Sequence, residues 1–281
     1  MRRKLWTLAL AGLLGLTACS PASLLNLTVP RAGYAVERNF AYGSDARQKL
    51  DLYIPDHLAA NAPVILFFYG GSWDSGNKDY YRGFGQAFAN EGIVVAVADY
   101  RLYPQVRYPA FLEDGAHAFA WVHANVARFG GDPARIFLAG HSAGAYIAVM
   151  LAADEDYVRK AGADPAWIRG VIGIAGPYNF LPLHSKDLIA IFGGANRPDT
   201  QPINYIDGKR PPMLLAAGTD DTTVLPRNTT QLAERLKSFA SPVEVLSYPG
   251  IGHIGIILSL APGLRWMTTL RQDIVKFVKA H

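Results

Sequence analysis

A serine flanked by small residues lies near the middle of this 281-residue chain. Residues 140–144 read Gly-His-Ser-Ala-Gly, which fits the pattern G-x-S-x-G with Ser142 at its centre. Residues 135–139 favour a short buried strand before this pattern, and residues 143–152 favour an apolar helix after it. The backbone of a serine at such a strand-to-helix turn is strained, so small neighbours are required on both sides. This order of elements predicts that Ser142 is a nucleophile; the alternative is a tight turn with a buried hydroxyl.

A nucleophilic serine needs a base to remove its hydroxyl proton and an acid to orient that base. Asp221 and His253 follow Ser142 in the order Ser, Asp, His, and each comes after a predicted strand. Both should therefore lie at the carboxyl edge of a parallel sheet, where ligands of such sheets bind. Asp220 is a second candidate acid, but Asp221 is the aspartate of a G-x-x-D-x-x-V pattern at residues 218–224. Because glycines stand at positions 250 and 252, we expect a flexible loop around His253.

Short apolar runs alternate with amphipathic stretches along the chain, which predicts an α/β fold. Strands are predicted at residues 36–42, 49–54, 63–69, 93–98, 135–139, 171–175, 212–217 and 243–248. Helices are predicted at residues 80–90, 109–127, 143–152, 187–192, 228–238 and 264–279. The first two strands should form an antiparallel hairpin, and the others a mostly parallel central sheet with helices on both faces. The long irregular stretch 176–211, rich in Pro, Gly and Asn, predicts at most a small lid or a binding loop.

The composition favours a single large domain and excludes some classes of partner. Half of the residues are apolar, so we predict one catalytic domain over residues 34–281. The formal net charge is +4, and Arg2, Arg3 and Lys4 contribute three of these charges. The chain has no stripe of Lys and Arg with interleaved aromatic residues, so we expect no nucleic-acid partner. It also lacks metal-ligand spacing and a phosphate-binding glycine loop, so we expect no metal and no other cofactor.

The N-terminal residues have the pattern of an export signal. The basic residues Arg2, Arg3 and Lys4 precede an apolar run at residues 5–16, which is too short to span a bilayer. Residues 16–20 (Leu-Thr-Ala-Cys-Ser) resemble a bacterial lipobox. This resemblance implies a signal peptide at residues 1–18, diacylation of Cys19, a tether at residues 19–33, and attachment to the cell envelope. Ser20 after the cysteine favours the outer membrane, facing the periplasm, over the inner membrane; the alternative is ordinary cleavage that leaves a free thiol.

Further motifs connect the chain to a known group of proteins. Residues 50–55 resemble an L-D-x-Y-x-P strand, residues 99–104 followed by 108–110 resemble D-Y-R-L-x-P…F-P-A, and residues 131–136 resemble G-x-D-P-x-R-I. From about residue 36 to its end, the chain therefore resembles the α/β-hydrolase superfamily. Within it, the chain is similar to the carboxylesterase and lipase group, which includes hormone-sensitive-lipase-like enzymes, acyl-esterases and kynurenine formamidases. These motifs specify a fold and a nucleophile rather than a substrate.

A glycine-rich loop follows the third predicted strand. Residues 69–73 (Tyr-Gly-Gly-Ser-Trp) match the H-G-G-x-W loop of this group, with Tyr69 in place of the usual His. The resemblance implies that the N–H groups of Gly71, Ser72 and Ala143 form an oxyanion hole, in which one donor contributes roughly 3 kcal/mol. Tyr69 should hold the loop in shape through its phenol. Its presence counts against a kynurenine formamidase.

Other side chains are candidates for the pocket or for structural roles. Candidates to line the substrate pocket are Tyr69, Trp73 and Tyr178, followed by Phe180 and Ile254. Residues interpreted as structural caps or ion pairs are Asp99, Arg101, Asp114 and Asp132.

Taken together, these features predict a carboxylesterase that acts on small or medium acyl esters through an acyl-enzyme intermediate. Small-molecule esters are therefore its expected partners. One alternative is a formamidase or a peptidase of the same fold. Another is a catalytically inactive hydrolase domain that serves as an envelope binding protein.

Overall fold

The computed structural model describes Asn26 and residues 28–281. The predicted signal peptide and Cys19 lie outside these described residues. No helix in the described part of the chain has the length and apolar character needed to span a bilayer.

One eight-stranded sheet forms the centre of the fold, in the order β1-β2-β4-β3-β5-β6-β7-β8. The strands are β1 (Tyr34–Ala41), β2 (Lys49–Pro55), β3 (Ala62–Phe68), β4 (Val94–Ala98), β5 (Gly131–His141), β6 (Ile168–Ile174), β7 (Met213–Gly218) and β8 (Val243–Tyr248). β1 and β2 form the predicted antiparallel hairpin, and β2 also pairs antiparallel with β4. All the remaining pairs are parallel. The prediction of a mostly parallel sheet is therefore confirmed.

Helices cover the sheet on both faces. The α-helices are α1 (Arg82–Ala89), α2 (Ala110–Asn125), α3 (Ala143–Ala153), α4 (Asp156–Lys160), α5 (Lys186–Phe192), α6 (Arg227–Ser238), α7 (His253–Leu258) and α8 (Leu270–Ala280). Every residue of β4 is buried, and successive side chains of a strand point to opposite faces. Both faces of the sheet are therefore covered at its centre, as the continuous apolar runs of the sequence predict.

The structure differs from the sequence-based expectations at two helices near the C-terminus. The glycines around His253 predict a flexible loop, but His253 is the first residue of α7. The predicted helix 264–279 begins only at Leu270. The turns before it follow Pro262 and Gly263, of which Gly263 has a φ of +81°. Residues 264–269 form turns and bends, in which the Thr268 hydroxyl donates to Ser259 Oγ over 2.7 Å, so the predicted helix does not form over this stretch.

Ser142 stands on a sharp turn between β5 and α3 that requires glycine on both sides. Its own φ is +55°, a conformation that costs a non-glycine residue free energy. A Cβ atom added at Gly144 would lie 2.0 Å from the carbonyl oxygen of Phe68, and one added at Gly140 would lie 2.2 Å from the Gly144 backbone. The end of β3, the end of β5 and the start of α3 are thus packed backbone against backbone.

Replacement of Gly144 tests this packing. We expect Gly144→Ala to lower the free energy of unfolding by about 1–3 kcal/mol, because the new methyl group overlaps the Phe68 carbonyl. The matched control is Gly83→Ala in α1, whose added Cβ would have no neighbour closer than 3.7 Å. Since alanine favours a helix over glycine, the control should be neutral or stabilising. Urea unfolding measures both variants, and equal stability of the two would contradict this account.

Candidate active site

The turn brings the Ser142 hydroxyl to the carboxyl edge of the sheet. The backbone N–H of Ser142 donates to the carbonyl of Ile174, the last residue of β6, over 2.9 Å. The N–H of Tyr146 in α3 donates to the Ser142 carbonyl over 3.1 Å. The serine main chain is therefore tied both to the neighbouring strand and to the helix that follows it, while its side chain faces a cavity.

His253 and Asp221 complete a chain of hydrogen bonds that begins at this serine. The Nε2 atom of His253 lies 2.9 Å from Ser142 Oγ, and its Nδ1 atom lies 2.7 Å from Asp221 Oδ2. A carboxylate can only accept, so Nδ1 carries the hydrogen and Nε2 is free to accept the serine proton. The Asp221 side chain is fully buried. The geometry is that of a nucleophile, a base and an orienting acid.

Backbone donors hold the Asp221 carboxylate in place. Its Oδ1 atom accepts from the N–H groups of Thr223, over 2.9 Å, and Val224, over 2.8 Å. The other oxygen is thereby directed to the imidazole. Asp220, the second candidate acid, is exposed and accepts instead from the Thr219 hydroxyl over 2.8 Å. The structure brings Asp221, not Asp220, to His253.

The glycine loop after β3 lies against the serine. Its residues Gly71, Ser72 and Trp73 all have positive φ values, of +131°, +49° and +60°. A Cβ atom added at Gly70 would lie 2.9 Å from the Cβ atom of Ser142, so loop and nucleophile are in contact. Ala143 is the first residue of α3, and the N–H group at that position has no acceptor within its own helix.

The Tyr69 side chain lies behind the loop rather than in a pocket. Its hydroxyl donates to Asp99 Oδ1 over 2.7 Å and accepts from Arg47 Nη2 over 2.6 Å. The same Asp99 oxygen accepts from the backbone N–H of Lys78 over 2.8 Å. Burial raises the pKa of Tyr69, so the phenol keeps its proton and remains a donor. Tyr69 thus connects the start of the loop to the segment that follows it.

A cavity of about 370 Å³ opens beside Ser142. Apolar side chains form much of its wall: Trp73, Phe180, Leu181, Leu183, Leu188 and Val224. Part of the irregular stretch 176–211 therefore contributes to this cavity, in agreement with its interpretation as a lid or a binding loop.

Not all of the predicted pocket residues reach this cavity. Trp73 and Phe180 line it. Tyr69 and Tyr178 are not among its lining residues, and both side chains are fully buried. Ile254 lines a separate, mainly apolar cavity of about 220 Å³ instead.

The residues interpreted as structural make contacts of that kind. Arg101 Nη2 lies 2.7 Å from Asp114 Oδ1, which is buried. Asp132 accepts from the N–H of Ala134 over 2.9 Å at the start of β5. Among the described residues, no group of three or more His, Cys, Asp and Glu side chains is arranged to hold a metal ion.

Three residues around the site were missed by the sequence analysis. Arg47 binds the Tyr69 hydroxyl. The Oδ1 atom of Asn228 accepts from the N–H groups of Tyr178 and Asn179, both over 2.9 Å. His141, adjacent to the nucleophile, is buried, and its Nε2 atom lies 3.0 Å from the carbonyl oxygen of His253. No motif in the sequence marks Arg47 or Asn228. His141 occupies the first x of the G-x-S-x-G pattern, where the pattern allows any residue.

Burial of His141 should make the folded protein sensitive to acid. Burial, with a smaller effect from His253, lowers the pKa of His141 to about 3, whereas a histidine in an unfolded chain titrates near 6.5. As the pH falls from about 6.5 towards 3, the unfolded chain binds a proton that the folded chain does not bind. The stability contributed by neutral His141 is therefore complete above pH 6.5 and is lost at acidic pH.

The variant His141→Gln tests this linkage because it removes the titrating group. Between pH 6 and 4, the free energy of unfolding should fall less steeply in the variant than in the parent, by about 1.4 kcal/mol per pH unit. Urea unfolding across this range measures both slopes, with pH 8 as the reference where neither protein titrates at this position. Identical slopes would refute the assignment of a low pKa to His141.

Comparisons with known proteins find relatives that match most of this chain. A probable isoprenylcysteine alpha-carbonyl methylesterase of Arabidopsis thaliana is 32% identical over 267 residues, which cover 86% of this chain and 56% of that protein. The esterase LipC of Mycobacterium tuberculosis is 30% identical, over 78% of this chain and 60% of LipC. The chain thus spans less than two thirds of the length of either relative.

Solved structures share the fold over almost the whole chain. Esterase B from Lactobacillus rhamnosis, with a tributyrin phosphonate inhibitor, has a TM-score of 0.79 at 19% identity and covers 97% of this chain and 94% of its own. Esterase 2 from Thermogutta terrifontis has a TM-score of 0.73 at 24% identity and covers 89% and 96%. These likenesses confirm the α/β-hydrolase fold.

The BD-FAE family model matches residues 50–236, well over half of the sequence, and this chain therefore belongs to the BD-FAE family.

Proposed function

We propose that this protein is a serine carboxylesterase that hydrolyses carboxylic esters through an acyl-enzyme intermediate. The observation that carries the proposal is the unbroken hydrogen-bonded chain from Ser142 Oγ through His253 to Asp221, with distances of 2.9 and 2.7 Å. This series of hydrogen bonds ends at Ser142, which lines a cavity of about 370 Å³, a size suited to a small substrate. The names of the relatives, a methylesterase and an esterase, support ester hydrolysis.

In the first step, Ser142 Oγ attacks the ester carbonyl carbon while His253 Nε2 takes the serine proton. Asp221 stabilises the resulting imidazolium and keeps the imidazole in the required tautomer, without taking the proton itself. Backbone bonds from Thr223 and Val224 keep the Asp221 carboxylate oriented during this step. The acid therefore needs no rearrangement as charge develops.

The carbonyl oxygen becomes negatively charged when the tetrahedral intermediate forms. The proposed donors to this oxygen are the N–H groups of Gly71, Ser72 and Ala143. Loss of a single donor of this kind costs roughly 3 kcal/mol of transition-state stabilisation. The network of Tyr69, Asp99 and Arg47 keeps the loop that carries two of these donors in its conformation.

The intermediate collapses when His253 returns its proton to the leaving alcohol, which departs and leaves an acyl group on Ser142. A water molecule then gives its proton to His253 and attacks the acyl carbon. A second collapse releases the carboxylic acid and restores the serine hydroxyl. The apolar side chains around the cavity favour an uncharged acyl group of small or medium size.

Replacement of the nucleophile tests this mechanism. We expect Ser142→Ala to lower the hydrolysis of p-nitrophenyl acetate by at least about 1,000-fold and to abolish labelling by a fluorophosphonate probe. The control is Ser238→Ala, which removes an exposed hydroxyl at the end of α6 and should leave both readings unchanged.

Three outcomes would count against the proposal. Labelling or turnover that survives Ser142→Ala would exclude this serine as the nucleophile. Faster turnover of an N-formyl or peptide substrate than of the ester would instead favour the formamidase or peptidase alternative. A parent protein that neither turns over substrate nor takes up the probe would favour an inactive binding protein.

We also propose that Cys19 is acylated and attaches the protein to the bacterial envelope. The support is the sequence of residues 16–20 after a basic and apolar segment. Metabolic labelling with a radioactive fatty acid should mark the full chain expressed in a bacterial host, and Cys19→Ser should remove the label. Label that persists in Cys19→Ser, or that is absent from the parent, would refute the anchor.

A further inference from the structure

The reacting imidazole is carried by a helix that cannot be stable by itself. α7 has six residues, and no side chain among the described residues caps its N-terminus. Helices of this length form in water only when tertiary contacts hold them. The contacts of the His253 ring with Ser142 and Asp221 orient its side chain, but they leave open what fixes the helix backbone.

His141 makes a direct bond to that backbone. Its Nε2 atom lies 3.0 Å from the carbonyl oxygen of His253. A carbonyl oxygen only accepts, so His141 Nε2 carries a hydrogen and donates it. His141 is the last residue of β5 and precedes Ser142, so one strand end holds the nucleophile and also contacts the backbone of the base.

The opposite edge of the His141 ring faces the glycine loop. A Cβ atom added at Gly70 would lie 3.1 Å from His141 Nδ1, so glycine at this position leaves room for the ring. The Nδ1 atom is buried and has no hydrogen-bond partner among the described residues. A buried acceptor without a partner is unfavourable for folding, and such groups call for an explanation at the site where they occur. The imidazole thus lies between the glycine loop and α7.

We propose that His141 is a positioning residue that holds α7, and with it the His253 imidazole, in the correct position relative to Ser142 and the glycine loop. This role rests on the proposed function of Ser142 and His253. It requires the N–H donor of His141 and not a charge. The two imidazole rings are 4.8 Å apart between centroids, so a neutral His141 adds no repulsion when His253 becomes positively charged.

The experiment compares variants that keep or remove the donor. His141→Leu and His141→Met remove it with side chains of similar bulk, and His141→Gln retains a neutral N–H donor. We expect kcat for p-nitrophenyl acetate to fall about 100-fold in the first two, as for a misplacement of about 1 Å, with KM within about twofold. His141→Gln should recover at least about one tenth of the parent kcat. The matched control is His117→Leu, which changes an exposed histidine on α2 and should leave kcat unchanged.

A purely structural role would not give this pattern. Rates are divided by the folded fraction from near-ultraviolet circular dichroism, and two apolar variants are used in case one of them folds poorly. The proposal is overturned if kcat per folded molecule is unchanged in either apolar variant. It is also overturned if His141→Gln is as slow as they are, or if KM rises while kcat stays constant. Failure of the proposed function would be seen separately, as activity that survives Ser142→Ala in the parent background.

Discussion

The turn at Ser142 is possible only because backbone segments approach each other without side chains between them. A Cβ atom at Gly144 would come within 2.0 Å of the Phe68 carbonyl oxygen, and one at Gly140 within 2.2 Å of the Gly144 backbone. This contact joins the end of β3, the end of β5 and the start of α3. Each carries part of the proposed chemistry, since the glycine loop leaves β3, the nucleophile leaves β5, and the Ala143 N–H begins α3. The local strain at Ser142 is maintained by the packed sheet and helices around it.

A second constraint is the buried polar network behind the glycine loop. Asp99 is nearly inaccessible to water, and burial raises the pKa of its carboxyl, while bonds from Tyr69 and from the Lys78 backbone oppose that rise. Removing any one of these donors would leave buried polar atoms without partners, which is costly in a low-dielectric interior. The network makes the conformation of the loop depend on residues far from the substrate cavity. Tyr69 therefore supports the site without entering the pocket.

Much of the fold could be predicted from the sequence because its signals are local. Continuous apolar runs such as residues 93–98 indicate strands buried on both faces, and the order of strands and helices then limits the topology. Errors arose where packing overrides the local pattern. Glycines around His253 suggested a loop, but the buried Ile256 and the contact with His141 hold that segment as the helix α7. The helix predicted from residue 264 starts at Leu270, because residues 264–269 form turns and bends in which Arg265 and Thr268 donate hydrogen bonds back to Leu260 and Ser259.

The sequence by itself determined Ser142 and His253 as candidates and narrowed the acid to Asp221 or Asp220, since a strained turn demands glycines and chain order demands an acid before a base. It also singled out the loop at residues 69–73. Only the tertiary structure decided that Asp221 rather than Asp220 meets the imidazole, that Tyr178 lies outside the cavity, and that His141 contacts His253 across 112 residues. The physical reason is that backbone conformation is set by near neighbours in the chain. Hydrogen-bond partners and cavity walls are instead set by which distant segments the sheet brings together.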